Sequence, residues 1–199
     1  MKTLKWHIVL RLLLVVTTII VVTACVMYYR AHRAMVAARQ YVSDVSRLQV
    51  GISGTREFAE IRNKYKRFAQ IEPNCNDNDC SVAFRFNNGL PVGAYFVRPA
   101  FLYSGLTLSH GSVTSSEISS TCYGKNGGEF IAHMRESLPN PAFDLPFREG
   151  GTMSSADKVA TISFNLTPAA SPEQRARAYA FHESFLGRFG ACNDATDMH

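Results

Sequence analysis

Five cysteines, six histidines and a scatter of serines are the residues of this 199-residue chain with covalent or metal-binding chemistry. Cys122 or Ser109 as nucleophile, with His110 or His133 as base, supplies the residue types of an acyl-transfer site. Spacing alone does not bring these side chains within hydrogen-bond reach, and a disulfide-bonded Cys122 has no thiolate with which to attack. His110, His133 and His182 have neither metal-ligand spacing nor a nearby cysteine pair, so they read as independent histidines. Asn74, Asn76 and Asn78 are spaced like the first ligands of a calcium loop. Asp79, however, stands where such a loop needs glycine, and Arg85 where it needs its closing glutamate. Gly124-Lys125 lacks the flanks of a phosphate loop, and Gly51-Ile52-Ser53-Gly54 is one residue short of a nucleophile elbow. No cofactor, metal or catalytic residue is therefore expected. The reading is a non-catalytic binding or assembly module, with an extracytoplasmic hydrolase using a Ser or Cys nucleophile and a His base as the alternative.

Cysteine usage carries more. With Cys25 set aside, Cys75, Cys80, Cys122 and Cys192 remain, an even number with no C-x-x-C spacing. They allow three pairings. Cys75 and Cys80 flank a polar turn, so the economical pairing is Cys75 with Cys80 and Cys122 with Cys192. Loop entropy makes the first closure worth about 2 kcal/mol and the second about 4 kcal/mol. Such bonds persist in oxidising compartments, which places this part of the chain outside the cytoplasm.

The element that must hold it there is the N-terminal run. Leu12 to Tyr29 carries no charge, with Lys2, Lys5 and Arg11 before it and Arg30, Arg33 and Arg39 after it. As a helix it spans roughly 27 Å, close to the hydrocarbon thickness of a bilayer. The flanks also account for the net charge of +5, because from Asp44 onward fifteen Lys and Arg face sixteen Asp and Glu. The remainder has no field to steer polyanions, and nucleic acid is not an expected partner. Membrane lipid is. Val22-Thr23-Ala24-Cys25 also has the small-residue pattern of a lipoprotein cleavage site, with Cys25 as the acylated residue. The apolar run nevertheless continues through Val26 to Tyr29, which favours an uncleaved signal anchor over lipidation or release. The expected location is the inner (cytoplasmic) membrane, single-pass, with the C-terminal domain extracytoplasmic.

Three regions follow: an anchor over 1–29, a juxtamembrane stalk helix over 30–50, and an α+β domain over 51–199. Ala31 to Leu48 lacks Gly and Pro and lines up Met35, Ala38, Val42 and Val45, a stripe that leans on its own domain or pairs with a second copy. Thr55 is placed to cap a helix over Arg56 to Phe68, with Phe58, Ile61, Tyr65 and Phe68 facing the core. Val82, Phe84 and Phe86 alternate into an Asn88-Gly89 turn, with Val92 to Val97 returning. Further strands are expected over Phe101–Ser109, Val113–Tyr123, Glu129–Arg135 and Val159–Leu166, antiparallel wherever a short turn joins them. Ser171, Pro172 and Gln174 start a final helix that runs toward Gly190, with Tyr179, Phe185, Leu186 and Phe189 on its buried side. Leu138 to Asp157 reads as a loop whose Phe143, Leu145 and Phe147 alternate, a candidate surface for a protein partner.

The fold class is thus a transmembrane and stalk helix followed by an antiparallel sheet packed with two helices. In outline this order resembles the pilins, but Lys5-Trp6-His7 and Arg11 occupy the region where prepilins carry their cleavage glycine and the glutamate after it. Leu48 to Tyr65, where Val50-Gly51-Ile52-Ser53 leads into a helix, resembles small outer-membrane assembly lipoproteins of bacteria over that stretch alone. Neither likeness assigns a family.

Overall fold

A computed structural model describes residues 2–71, 75–87, 100–124, 128–139, 145–154, 159–187, 192 and 198–199. The first element, α1, is a single helix over Lys2–Val45. Nothing in the sequence interrupts it, since neither Gly nor Pro occurs before Gly51. Its environment changes sharply along its length. Leu12, Ile20 and Tyr29 are 62%, 62% and 59% exposed, whereas Ala31, Ala34, Ala38, Tyr41, Val42 and Val45 are buried at helical spacings of three and four. The exposed half belongs to the one helix, among the described residues, that is long and apolar enough to cross a membrane.

The buried half of α1 lies on a seven-stranded sheet. Its strands are β1 (Ala69–Ile71), β2 (Cys80–Asn87), β3 (Ala100–Ser109), β4 (Ser112–Tyr123), β5 (Glu129–Ser137), β6 (Phe147–Ser154) and β7 (Val159–Leu166), in the order β1-β2-β3-β4-β5-β7-β6. All neighbours are antiparallel except β5 and β7, which run parallel with Phe130 opposite Ala160 and Met134 opposite Phe164. The sheet is therefore mixed, not antiparallel as expected. The reason is β6: the stretch read as a loop contains a strand that sits outside β7, so β7 returns beside β5 in the same direction. The expected return strand over Val92 to Val97 lies outside the described residues, and β2 pairs with β3.

Strand alternation divides the sheet into two faces. Val82, Phe84 and Phe86 of β2, Leu102 and Leu106 of β3, Ile118 of β4 and Met134 of β5 are buried on the inner face. Small buried residues occur on both layers, Ser104, Ser116 and Ser120 on the sheet and Ala31, Ala34, Ala37 and Ala38 on the helix. Tyr41 fills the centre. Its ring lies 4.8 Å from Phe84 and 5.1 Å from both Phe86 and Tyr65, and its hydroxyl bonds Ser104 at 2.7 Å. That bond removes the cost of burying a phenol oxygen without a partner.

The other helices complete this layer. Helix α2 (Thr55–Lys64) buries Phe58 and Ile61, and Tyr65 follows on the same side. Its cap is Gly54, whose N–H is accepted by the Glu57 carboxylate at 3.0 Å. The expected cap, Thr55, donates its hydroxyl to the Asp77 carbonyl instead. A 3-10 turn over Lys66–Phe68 takes the place of the helix's last turn. In α3 (Pro172–Ala178), the Ser171 hydroxyl accepts from the Gln174 N–H at 3.3 Å and the Gln174 side chain accepts from the Ser171 N–H at 2.8 Å. The helix stops at Ala178 and does not run toward Gly190. A separate 3-10 turn over Glu183–Gly187 lets Phe185 and Leu186 reach the core beside α1, which a straight continuation would not. Among the described residues, α2 and α3 are the two helices expected beside the sheet, and the buried half of α1 packs with them as a third.

Candidate functional site

The outer face of the sheet carries its polar side chains in rows fixed by strand register. One row reads Arg85, Tyr103, Ser119, His133 and Ser163 across β2, β3, β4, β5 and β7, and the next reads Ala83, Gly105, Glu117, Arg135 and Asn165. His133 and Glu117 are diagonal neighbours and join at 3.0 Å, Nε2 to Oε1. The hydrogen bond from His133 holds the Glu117 carboxyl below its ordinary pKa; partial burial opposes this and Arg135 adds to it. Tyr103 is 40% exposed, and a Cβ on Gly105 would meet nothing within 4 Å, so the floor beside Glu117 is open. At the end of β3 the Arg85 guanidinium lies over the Phe101 ring at 5.4 Å. The face offers hydrogen bonds, one acid–imidazole pair and exposed aromatic edges to whatever meets it.

The catalytic alternatives come apart in the geometry. Cys122 is joined to Cys192, with Cα atoms 6.1 Å apart, and Cys75 to Cys80, so neither pair supplies a thiol. Ser109, His110 and Asp79 do meet at the β3–β4 turn. There the Ser109 hydroxyl donates to Asp79 at 2.9 Å, the His110 backbone N–H donates to the same oxygen at 3.1 Å, and the His110 ring lies 3.1 Å from Ser109 Oγ. In a triad the serine proton goes to the imidazole and the imidazole is oriented by the carboxylate. Here the serine proton goes to the carboxylate, which also pins a turn whose His110 sits at φ 51°. The arrangement is a turn lock, and those two bonds hold the Asp79 carboxyl below its ordinary pKa. His133 has its carboxylate, but among the described residues no hydroxyl bonds its ring.

The loop over Cys75–Cys80 is also committed to folding. Asn76 Oδ1 accepts from the N–H groups of Asn78 and Asp79, both at 2.8 Å, which leaves it closing a turn and not facing a cation. Asn74 lies outside the described residues. His182 donates its backbone N–H to the Met198 carbonyl, away from the other two histidines. Among the described residues no group of three His, Cys, Asp or Glu side chains could hold a metal.

Two residues that the sequence did not single out form the most buried polar cluster. Glu136 is fully buried on the inner face, and its carboxylate accepts from Arg175 on one oxygen and from the Tyr179 hydroxyl on the other, the latter at 2.9 Å. Arg175 also donates to the carbonyls of Leu48, at 2.8 Å, and Ser46, at 3.4 Å, which α1 leaves unsatisfied just beyond its end. Burial first, then the neighbouring Glu136 charge, pushes the Tyr179 phenol well above its ordinary pKa. A cavity of about 650 Å³ opens above the cluster between Gln49, Ile52, Pro168 and Ala176. Its charged groups already satisfy one another, so it reads as a clamp joining α1, α3 and β5. The signal for Glu136 was the alternation of Ala132, Met134 and Glu136, which puts a carboxylate on the core face.

Of the proposed partner surface, Phe143 lies outside the described residues and Leu145 is 65% exposed. Phe147 begins β6, with its ring 6.3 Å from Phe164 and packed partly against the core. Cys25 is exposed on the apolar half of α1. Comparison with protein-family models, with curated proteins and with solved structures returns no match.

Proposed function

We propose that the chain is a single-pass protein of the inner (cytoplasmic) membrane whose extracytoplasmic domain binds or assembles with a protein partner and catalyses nothing. One observation carries this reading: the helix that is long and apolar enough to cross a membrane also forms part of the domain core, so a bilayer that it enters would meet the sheet's outer face at a fixed orientation. Such a face, built from strands in fixed register, is a rigid recognition surface, and its side chains carry the Tyr103, His133 and Arg135 chemistry common at polar interfaces. The two disulfides support an oxidising compartment. The hydrolase alternative retains the Glu117–His133 pair, without a nucleophile bonded to it.

A photo-crosslinking residue placed at Tyr103 in cells tests the proposal, with the exposed Glu60 of α2 as control. A discrete adduct at position 103 and none at position 60 is the expected result. Adducts at neither site, or equal adducts at both, overturn the recognition face. A periplasmic-reporter fusion after residue 199 that stays inactive overturns the orientation.

A further inference from the structure

The continuity of α1 fixes more than the presence of an anchor, because the sheet against which it lies indicates which end of the domain faces the lipid. Two contacts set the levels. The Leu48 carbonyl shares Arg175 with Glu136, whose partner on β4 is Ser116, so the end of α1 lies level with Ser116. The Tyr41 hydroxyl meets Ser104, whose partner is Ile118, so four residues earlier than Val45 the helix is level with Ile118. The helix therefore advances from Tyr41 toward its end as β4 steps back from Ile118 to Ser116, so α1 crosses the sheet antiparallel to β2 and β4. From Tyr41 back to Ala31 the helix descends about 15 Å, which brings Ala31 level with Cys122 and Tyr123.

Ala31 is nevertheless only 1% exposed, and it follows Tyr29 and Arg30 directly. The headgroup layer is about 5–7 Å thick on each side of the hydrocarbon, or four to five helical residues. A domain that already buries Ala31 and Ala34 therefore begins inside that layer, with no stalk between. The charges on either side keep the helix from sliding to relieve this, since Arg11 and Arg30 bound an apolar stretch barely long enough to span. Cleavage and acylation at Cys25 would not change the result. Cys25 lies about 9 Å below Ala31 on the same helix, so acyl chains there would seat the domain at the same height.

We propose that the domain rests on the phospholipid headgroups of the bilayer its own helix enters, on the rim formed by the Ala100, Cys122–Gly124 and Met153 ends of the strands. Among the described residues, charge near this surface favours anionic lipid: Arg30 and Arg33 are exposed on α1 and Arg85 lies two residues before the end of β2, against Glu129 at the start of β5. Met153, 82% exposed at the same end of the sheet, is an apolar side chain placed to reach the interface. The Cys75–Cys80 loop and the His110–Gly111 turn occupy the opposite end, roughly a strand's length, about 35–40 Å, from the membrane. The inference rests on the membrane anchor proposed above.

The full chain, with Trp6→Phe to remove its single tryptophan, is reconstituted in nanodiscs of anionic phospholipid containing headgroup nitroxide lipid. One reporter is Met153→Trp at the rim and the other Asp77→Trp at the far loop; both positions are solvent-exposed, so neither change disturbs the core. Several-fold stronger quenching at position 153 than at position 77 is the expected result. A chain that incorporates but shows equal or no quenching at the two positions overturns the seating and leaves the anchor standing. A chain that fails to incorporate overturns both.

Discussion

Replacing Arg175 by methionine removes the cation that pairs with a fully buried carboxylate and tests the clamp that fastens α1 to the sheet. Glu136 is 0% exposed and the Arg175 side chain 18%, so neither charge is well screened by water. After the substitution the carboxylate keeps only the Tyr179 hydroxyl, and the carbonyls of Leu48 and Ser46 lose their donor. Breaking a buried pair from one side costs about 3–5 kcal/mol. For a domain of this size that corresponds to a fall of roughly 6–20 °C in Tm. The assay is urea and thermal unfolding of the full chain in detergent micelles, followed by the far-ultraviolet signal of the sheet. Adding Glu136→Leu to Arg175→Met is expected to restore most of the loss, because an apolar pair of similar volume is near neutral in such a site. A loss of less than about 1 kcal/mol for Arg175→Met would place Glu136 in contact with water and refute the reasoning.

Three further outcomes follow from the same packing. Cys122→Ser with Cys192→Ser opens a loop with a sequence separation of 70 and is expected to cost about 4 kcal/mol, against about 2 kcal/mol for Cys75→Ser with Cys80→Ser; equal losses in denaturant midpoints would contradict this. Ala38→Leu overfills a fully buried position on α1 and is expected to cost about 1–3 kcal/mol, while Ala24→Leu in the exposed apolar half costs nothing measurable in the same unfolding assay. Glu117 is held below its ordinary pKa by His133, so its contribution is fully present above about pH 4.5 and is lost as pH falls through the depressed value. Unfolding curves of wild type and Glu117→Gln should therefore differ at pH 7 and converge in acid, and a gap that widens in acid would reverse the assignment.

Much of the sheet was legible because its strands alternate. Val82, Phe84 and Phe86 are apolar at every second position, and the structure buries all three. β6 escaped for the opposite reason: Pro146 precedes it and Gly150-Gly151 lies inside it, residues that weaken a strand unless neighbouring strands hold it. Without β6 the parallel pairing of β5 and β7 had no visible cause. The buried stripe of α1 was half visible. Met35, Ala38, Val42 and Val45 showed a face, but Ala31 and Ala34 give little hydrophobic signal. Their burial depends on elements far along the chain, which no local pattern shows. At the clamp, alternation placed Glu136 inward, yet its partner Arg175 is 39 residues away and on another element, a pairing no local pattern encodes. Ser109 and His110 were singled out as types, and only the bond from Ser109 to Asp79 shows that their proximity serves a turn.

The embedding of α1 also constrains how copies could associate. Its Ala38, Val42 and Val45 stripe is spent inside its own domain, so it is not free to form a coiled coil with a neighbour. Copies anchored as proposed share an orientation, and a two-fold axis between them in one bilayer must run along the membrane normal. Strands that run beside α1 lie roughly along that normal, so rotation about it preserves their direction. Two β6 edges brought together this way would meet parallel, the less stable pairing per residue. Antiparallel edge pairing between copies needs an axis in the membrane plane, which would place the anchors in opposite senses. For a domain anchored as proposed, that constraint disfavours edge-to-edge pairing of two copies through β6.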